Sequence, residues 1–221
     1  MFGKKRLTLF CGHYGSGKTN IAVNAAIALK KSYGNVALAD LDIVNPYFRT
    51  KDSSELLEEQ GIRLICSTYA NSNVDIPALP QDMYAITDDK SLRCILDIGG
   101  DDRGALVLGR ISDRIKAEND YEMLMVINSF RPLTRDTAST VEVLAEIETA
   151  AKMKFTGLVN NSNLGVETTA EDVLGSLEYA NSVAKATNLE IVCTSVNETL
   201  YNELKEKINN LLPLKLQGKI N

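Results

Sequence analysis

The segment Gly12-His13-Tyr14-Gly15-Ser16-Gly17-Lys18-Thr19 constrains this chain more than any other. It satisfies G-x-x-x-x-G-K-[ST] at every fixed position, between a short apolar run, Arg6–Cys11, and a segment with helical periodicity, Lys18–Ser32. The order predicted is strand, glycine-rich turn, helix. Glycines let main-chain N–H groups converge on a phosphate, and a helix N-terminus adds its dipole. Lys18 is expected to reach the terminal phosphates, and Thr19 to place its hydroxyl on Mg2+. The candidate nucleotide-binding residues are Gly12, His13, Tyr14, Gly15, Ser16, Gly17, Lys18, Thr19 and Asn20.

Apolar, β-branched runs recur at Val36–Leu41, Arg63–Cys66, Arg93–Ile98, Glu122–Ile127, Phe155–Asn160 and Glu190–Thr194. They are nearly continuous rather than alternating, as strands buried on both faces of a parallel sheet are. Helical patterns fill the gaps at Gly104–Lys116, Arg135–Lys152, Thr169–Thr187 and Leu200–Leu212. The expected fold is α/β: a mostly parallel central sheet with helices on both faces, in a single domain over residues 1–221. The stretch Ser67–Asp89, with Pro77 and Pro80, reads as an insertion or long loop. The last helix, with Leu200, Leu204, Ile208 and Leu211 on one stripe, is expected to dock on the domain.

A phosphate loop needs a carboxylate for its metal. Asp97 ends an apolar strand and is followed by Ile98-Gly99-Gly100, so it is the candidate holder of the Mg2+ shell beside Thr19. Asp40 and Asp42 end the second strand, where ligands of open α/β sheets bind. Asp42 is read as orienting the attacking water, and it is also a candidate metal neighbour. Asp40 is read as supporting the loop or the metal shell. Lys18, Asp42 and Asp40 are thus the catalytic candidates. Asp101 and Asp102 fit capping as well as chemistry.

Composition narrows the alternatives. Lys+Arg number 24 against 29 Asp+Glu, a net charge of −5, which gives no general pull toward nucleic acid or anionic membrane. His13 is the only histidine, so no histidine metal site or histidine triad forms within one chain. Cys11, Cys66, Cys94 and Cys193 lack paired spacing and read as buried thiols of a reducing compartment. No run is long enough to span a bilayer, and the expected location is the cytoplasm.

The phosphate loop on strand one, Asp40-Leu41-Asp42 on strand two and Asp97-Ile98-Gly99-Gly100 together resemble the MinD/ParA family of ATPases. Gly157–Ser162 resembles the segment that supplies an asparagine to the base, with Asn161 matching best and Asn160 the alternative. Ser129–Thr134 resembles the family's proline-containing turn. The resemblance implies a P-loop NTPase-type domain that binds ATP/ADP with Mg2+. It also implies slow hydrolysis, a nucleotide-dependent homodimer and action on a partner protein. One departure is His13, where most of the family has a lysine reaching across the dimer; an imidazole is not a fixed charge near pH 7. Arg103 or Arg49 is a candidate replacement. The main alternative is a small-molecule kinase or amidoligase-like enzyme using the 67–89 stretch as a second pocket. A GTPase would want N-K-x-D where the chain has Asn160-Asn161-Ser162-Asn163.

Overall fold

The computed structural model describes residues 2–42, 54–66, 81–100 and 102–216, without the side chains of Cys66, Gln81, Asp82, Asp102 and Arg103. Asn45, Pro46, Arg49, Asp101, residues 67–80 and the Arg103 side chain therefore lie outside the description.

Eight strands form one sheet: β1 (Leu7–Cys11), β2 (Val36–Leu41), β3 (Arg63–Cys66), β4 (Arg93–Ile98), β5 (Tyr121–Ile127), β6 (Gly157–Asn160), β7 (Ile191–Asn197) and β8 (Leu211–Leu214). Their order is β3-β2-β4-β1-β5-β6-β7-β8, and every pairing is parallel. The helices are α1 (Lys18–Lys30), α2 (Ser54–Glu59), α3 (Gln81–Asp88), α4 (Asp102–Glu118), α5 (Thr137–Ala151), α6 (Ala170–Thr187) and the single turn α7 (Tyr201–Leu204).

Every residue of β1 and β2 is buried, and the period of two assigns them to opposite faces. Phe10, Leu38, Ile95 and Val126 meet Ile21, Ala22, Ala25 and Leu29 of α1. Leu9, Leu96 and Met125 meet Met83 and Ile86 of α3, Leu108 and Ile111 of α4, and Leu144 and Ile147 of α5. Strands β2 to β4 lie to one side of β1, and β5 to β8 to the other. The chain thus reverses direction beside β1, where an open α/β sheet leaves a crevice at its carboxyl edge.

Two expectations need correction. Residues 81–88 of the irregular stretch are helix α3, not loop. The expected helix Leu200–Leu212 is only one α-turn, and its end is the strand β8. The stripe is buried as expected, since Leu204, Ile208 and Leu211 pack with Val173 and Val196. β8 accommodates Pro213, which donates no ladder hydrogen bond, because among the described residues β8 is the last strand of the sheet and pairs with β7 alone.

Arg6, just before the central strand β1, staples the amino-terminal end of the sheet. Its guanidinium donates to both carboxylate oxygens of Glu118 and to the carbonyls of Ile86 (2.9 Å), Leu92 (2.7 Å) and Asp89 (3.2 Å). A lysine would keep the charge but lose the planar fork. Arg6→Lys is expected to destabilise the fold by about 1–3 kcal/mol, the range for leaving buried acceptors unpaired. Urea unfolding with an unchanged midpoint would contradict this.

Candidate functional site

The loop of residues 12–17 leaves β1 and enters α1. Helix α1 differs from its neighbours at its start. Asp136 caps α5 by accepting from Ser139 N, and Thr169 with Asp172 forms a capping box on α6. The N-cap of α1 is Gly17, which offers no side-chain cap, and its first turn holds no acid. The N-terminal donors and positive dipole end of α1 thus receive neither a side-chain cap nor a first-turn acid, an arrangement that can accept an anion.

Gly17 has φ +90° and ψ +20°, and a Cβ there would collide with Asn161 Nδ2. Glycine is required on both counts. The Asn161 amide donates to Ser16 O at 2.6 Å, and its Oδ1 accepts from Ser195 Oγ at 2.6 Å. The trans peptide then turns the Gly17 N–H the opposite way from the Ser16 carbonyl. Asn161 therefore pins the loop from behind. Asn160 is also fully buried: its amide donates to Ser176 Oγ at 2.9 Å, and its Oδ1 accepts from Ser162 Oγ at 2.8 Å. The side chains of both asparagines sit within the protein framework at the carboxyl end of β6.

Lys18 is 5% exposed, and its Nζ donates to His13 O at 3.3 Å. Thr19 Oγ1 donates to Asp97 Oδ2 at 2.6 Å. Asp97 is buried, and its other oxygen, Oδ1, has no hydrogen-bond partner among the described residues; nor has Ser16 Oγ. Burial raises the Asp97 carboxyl to about 6, with Lys18 and the Thr19 bond pulling down and the nearby Asp42 charge pushing up. A hydroxyl and an orphaned carboxylate oxygen are hard donors suited to Mg2+. No cluster of three or more acidic, histidine or cysteine ligands occurs among the described residues, so a cation here would complete its shell with phosphate and water.

Asp40 and Asp97 are register partners on β2 and β4, which brings the carboxyl ends of both strands together. Asp40 Oδ1 accepts from Asp42 N at 3.0 Å and so holds the turn that carries Asp42. A Cβ on Gly99 would stand 3.2 Å from Asp42 Oδ1, so that carboxylate lies against the segment after β4. Gly100 presses on the phosphate loop itself: a Cβ there would be 2.5 Å from Tyr14 N. His13 is half-buried, with Nδ1 3.2 Å from Tyr14 O.

The sequence reading missed three residues. Asn128, fully buried at the end of β5, accepts at Oδ1 from Phe130 N (3.0 Å) and Asn163 N (3.3 Å). Its carbonyl accepts from Arg131 N (3.1 Å) and Thr134 Oγ1 (2.8 Å). Arg131 donates from Nε to Gly15 O at 2.8 Å. Ser195, on β7, orients Asn161. A buried asparagine closing an apolar strand was the one available signal. The thiols of Cys11, Cys94 and Cys193 are buried and free, and burial pushes each upward, to about 12 for Cys94 and Cys193.

No family model matches this chain, and no curated protein matches it. Solved structures do. The signal recognition particle receptor FtsY from Elizabethkingia anophelis in complex with GDP matches over 99% of this chain, at 17% identity and a TM-score of 0.52. FtsY from Mycoplasma mycoides matches over 89%, at 18% identity and TM-score 0.55, and cell division protein ftsY from Thermotoga maritima over 87%, at 20% and 0.56. This chain spans 62% of the length of each. The fold is the α/β P-loop NTPase fold of these neighbours. No helix among the described residues is long and apolar enough to cross a membrane.

Proposed function

We propose that this protein is a Mg2+-dependent, MinD/ParA-like switch that binds and slowly hydrolyses ATP and acts on a partner protein through nucleotide-dependent conformations. The observation that carries the reading is the 2.6 Å bond from Thr19 to Asp97, whose second oxygen is orphaned, beside the buried Lys18. These groups fit a Mg-nucleotide. Mg2+ would supply charge neutralisation on the terminal phosphates.

The protein's own residues do the rest. The uncapped start of α1 and the Gly17 N–H bind phosphate, and Lys18 neutralises it. Asp42, held by Asp40, orients water toward the terminal phosphate. Positioning is most of what phosphoryl transfer asks of a protein. Gly100, packed on Tyr14, would relay loss of that phosphate to α4, as order–disorder switch segments do. Tyr14, Phe130, Leu133, Leu164 and Val166 are exposed on loops at the carboxyl edge of the sheet. Exposed apolar side chains there support a partner, a second copy of this chain included.

ATP is favoured over GTP by the residues after β6. Guanine offers two donors that an aspartate reads in N-K-x-D, whereas three positions beyond Asn160 and Asn161 stand Asn163 and Leu164. The FtsY structure holding GDP makes guanine the competing reading. Competition for a fluorescent ATP analogue should show ATP displacing it better than GTP. In the same assay Asp42→Ala should keep its ATP affinity while turnover falls about 10- to 100-fold, the scale of a misplaced reactant. Tighter GTP binding would reverse the nucleotide assignment, and normal turnover would move the water-orienting role off Asp42.

A further inference from the structure

A triphosphate brings several negative charges to the loop. Among residues 12–19 only Lys18 is a permanent cation, since an imidazole is not one near pH 7. The loop after β5 places a second cation on it. Arg131 Nε donates to Gly15 O at 2.8 Å, and its Cζ lies 3.6 Å from the point where a Gly15 Cβ would stand. The guanidinium thus lies against the middle of the phosphate loop. Among the described residues no carboxylate pairs with it.

Its position is built rather than incidental. Asn128 O accepts the Arg131 N–H, Asn128 Oδ1 ties the same turn to Asn163, and Ser129 N donates to Ser162 Oγ at 3.0 Å. Pro132 opens a 3-10 turn over Pro132–Thr134, and Thr134 Oγ1 closes back on Asn128 O. Two consecutive loop carbonyls are therefore held, Gly15 O by Arg131 and Ser16 O by Asn161. One of the five guanidinium donors serves Gly15, and the Nη groups and the fixed charge remain for a charge-assisted contact with phosphate.

We propose that Arg131 is the second fixed cation of this site, reaching the nucleotide's phosphates in cis from the loop after β5. The inference rests on the nucleotide reading above. It differs from the sequence-based assignment of that charge to Arg49 or Arg103.

The test is displacement of a fluorescent ATP analogue by inorganic pyrophosphate and by adenosine, in Mg2+, for the full chain and for Arg131→Gln, Arg131→Lys and Lys18→Ala. Arg131→Gln should weaken pyrophosphate about 10- to 100-fold, the range for a charge-assisted hydrogen bond, and adenosine less than about threefold. Arg131→Lys, which keeps the charge and gives up the Gly15 clamp, should recover most of the pyrophosphate affinity. Equal losses in the Lys and Gln variants would overturn the proposal in favour of a clamp alone. Unchanged pyrophosphate affinity in Arg131→Gln, with Lys18→Ala weakened, would overturn it while leaving the nucleotide reading intact. If Lys18→Ala binds pyrophosphate normally, the nucleotide reading itself fails. Should Arg131→Gln not fold, as judged by circular dichroism, Arg131→Lys alone decides: wild-type-like affinity supports the charge, and a loss of about tenfold or more overturns it.

Discussion

Lys18→Ala is expected to weaken Mg-ATP binding about 30- to 5,000-fold, from the roughly 2–5 kcal/mol that truncating one partner of a buried charge pair costs. Two effects act together. The ammonium that meets the phosphates disappears. Lys18 also holds the buried Asp97 carboxyl down, so its loss lets that group rise further above its ordinary value. The variant then meets Mg2+ with a carboxyl that is more fully protonated at neutral pH. Titration calorimetry at about pH 7 and pH 8.5 separates the two: raising the pH should return part of the Mg2+-dependent affinity and none of the phosphate contact. An ATP affinity within about threefold of the wild type would remove the site assignment altogether.

The second large effect is a substitution that improves the fold while ending its chemistry. Asp97 rises from 3.8 to about 6 because its charged form is buried. The folded state therefore holds the proton more tightly than the unfolded chain does. The stability tied to that proton is fully present below about pH 4 and is lost as pH rises through about 6. Above that, the metal-free wild type carries the whole penalty, at most about 3 kcal/mol at roughly 1.36 kcal/mol per unit. The amide that Asp97→Asn introduces has no charge to bury, and its oxygen can still accept from Thr19. In EDTA, Asp97→Asn should melt above the wild type at about pH 7.5, and the gap should close toward about pH 4. Mg2+-dependent turnover should fall about 100-fold or more, as loss of a transition-state electrostatic partner does. A variant that melts below the wild type at the higher pH would show that the ionised carboxylate is a structural asset.

The elements legible in the sequence were those whose chemistry is local. The phosphate loop is eight contiguous residues with backbone demands only glycine meets. Asp97 announces itself by ending an apolar strand before two glycines. Core strands showed themselves by continuous burial. Arg131 and Asn128 were not legible, because their meaning lies across the sheet: Gly15 and Arg131 are far apart in the chain and meet only when β1 and β5 pair. Asn161 was legible as a candidate near the base, but the hydrogen bond that defines its position runs to Ser16 on another strand's loop. The tail misled for a different reason. Leu200, Leu204, Ile208 and Leu211 have helical spacing, and the same side chains bury equally well from a turn and an edge strand. Periodicity recorded their burial and not their backbone.

The parallel sheet has a consequence for how this molecule comes into being. Leu7 pairs with Cys94 on one side and with Tyr121 on the other, so the strand that launches the phosphate loop waits for chain made long after it. Such non-local pairings bear loop-closure entropy before any contact rewards them, and they slow folding. Asn161 and Ser195 arrive later still. During synthesis α1 can wind early, but the cradle at its start has no back wall until β6 and β7 are laid down. If the nucleotide proposal holds, the capacity to hold a phosphate is among the last properties this chain acquires.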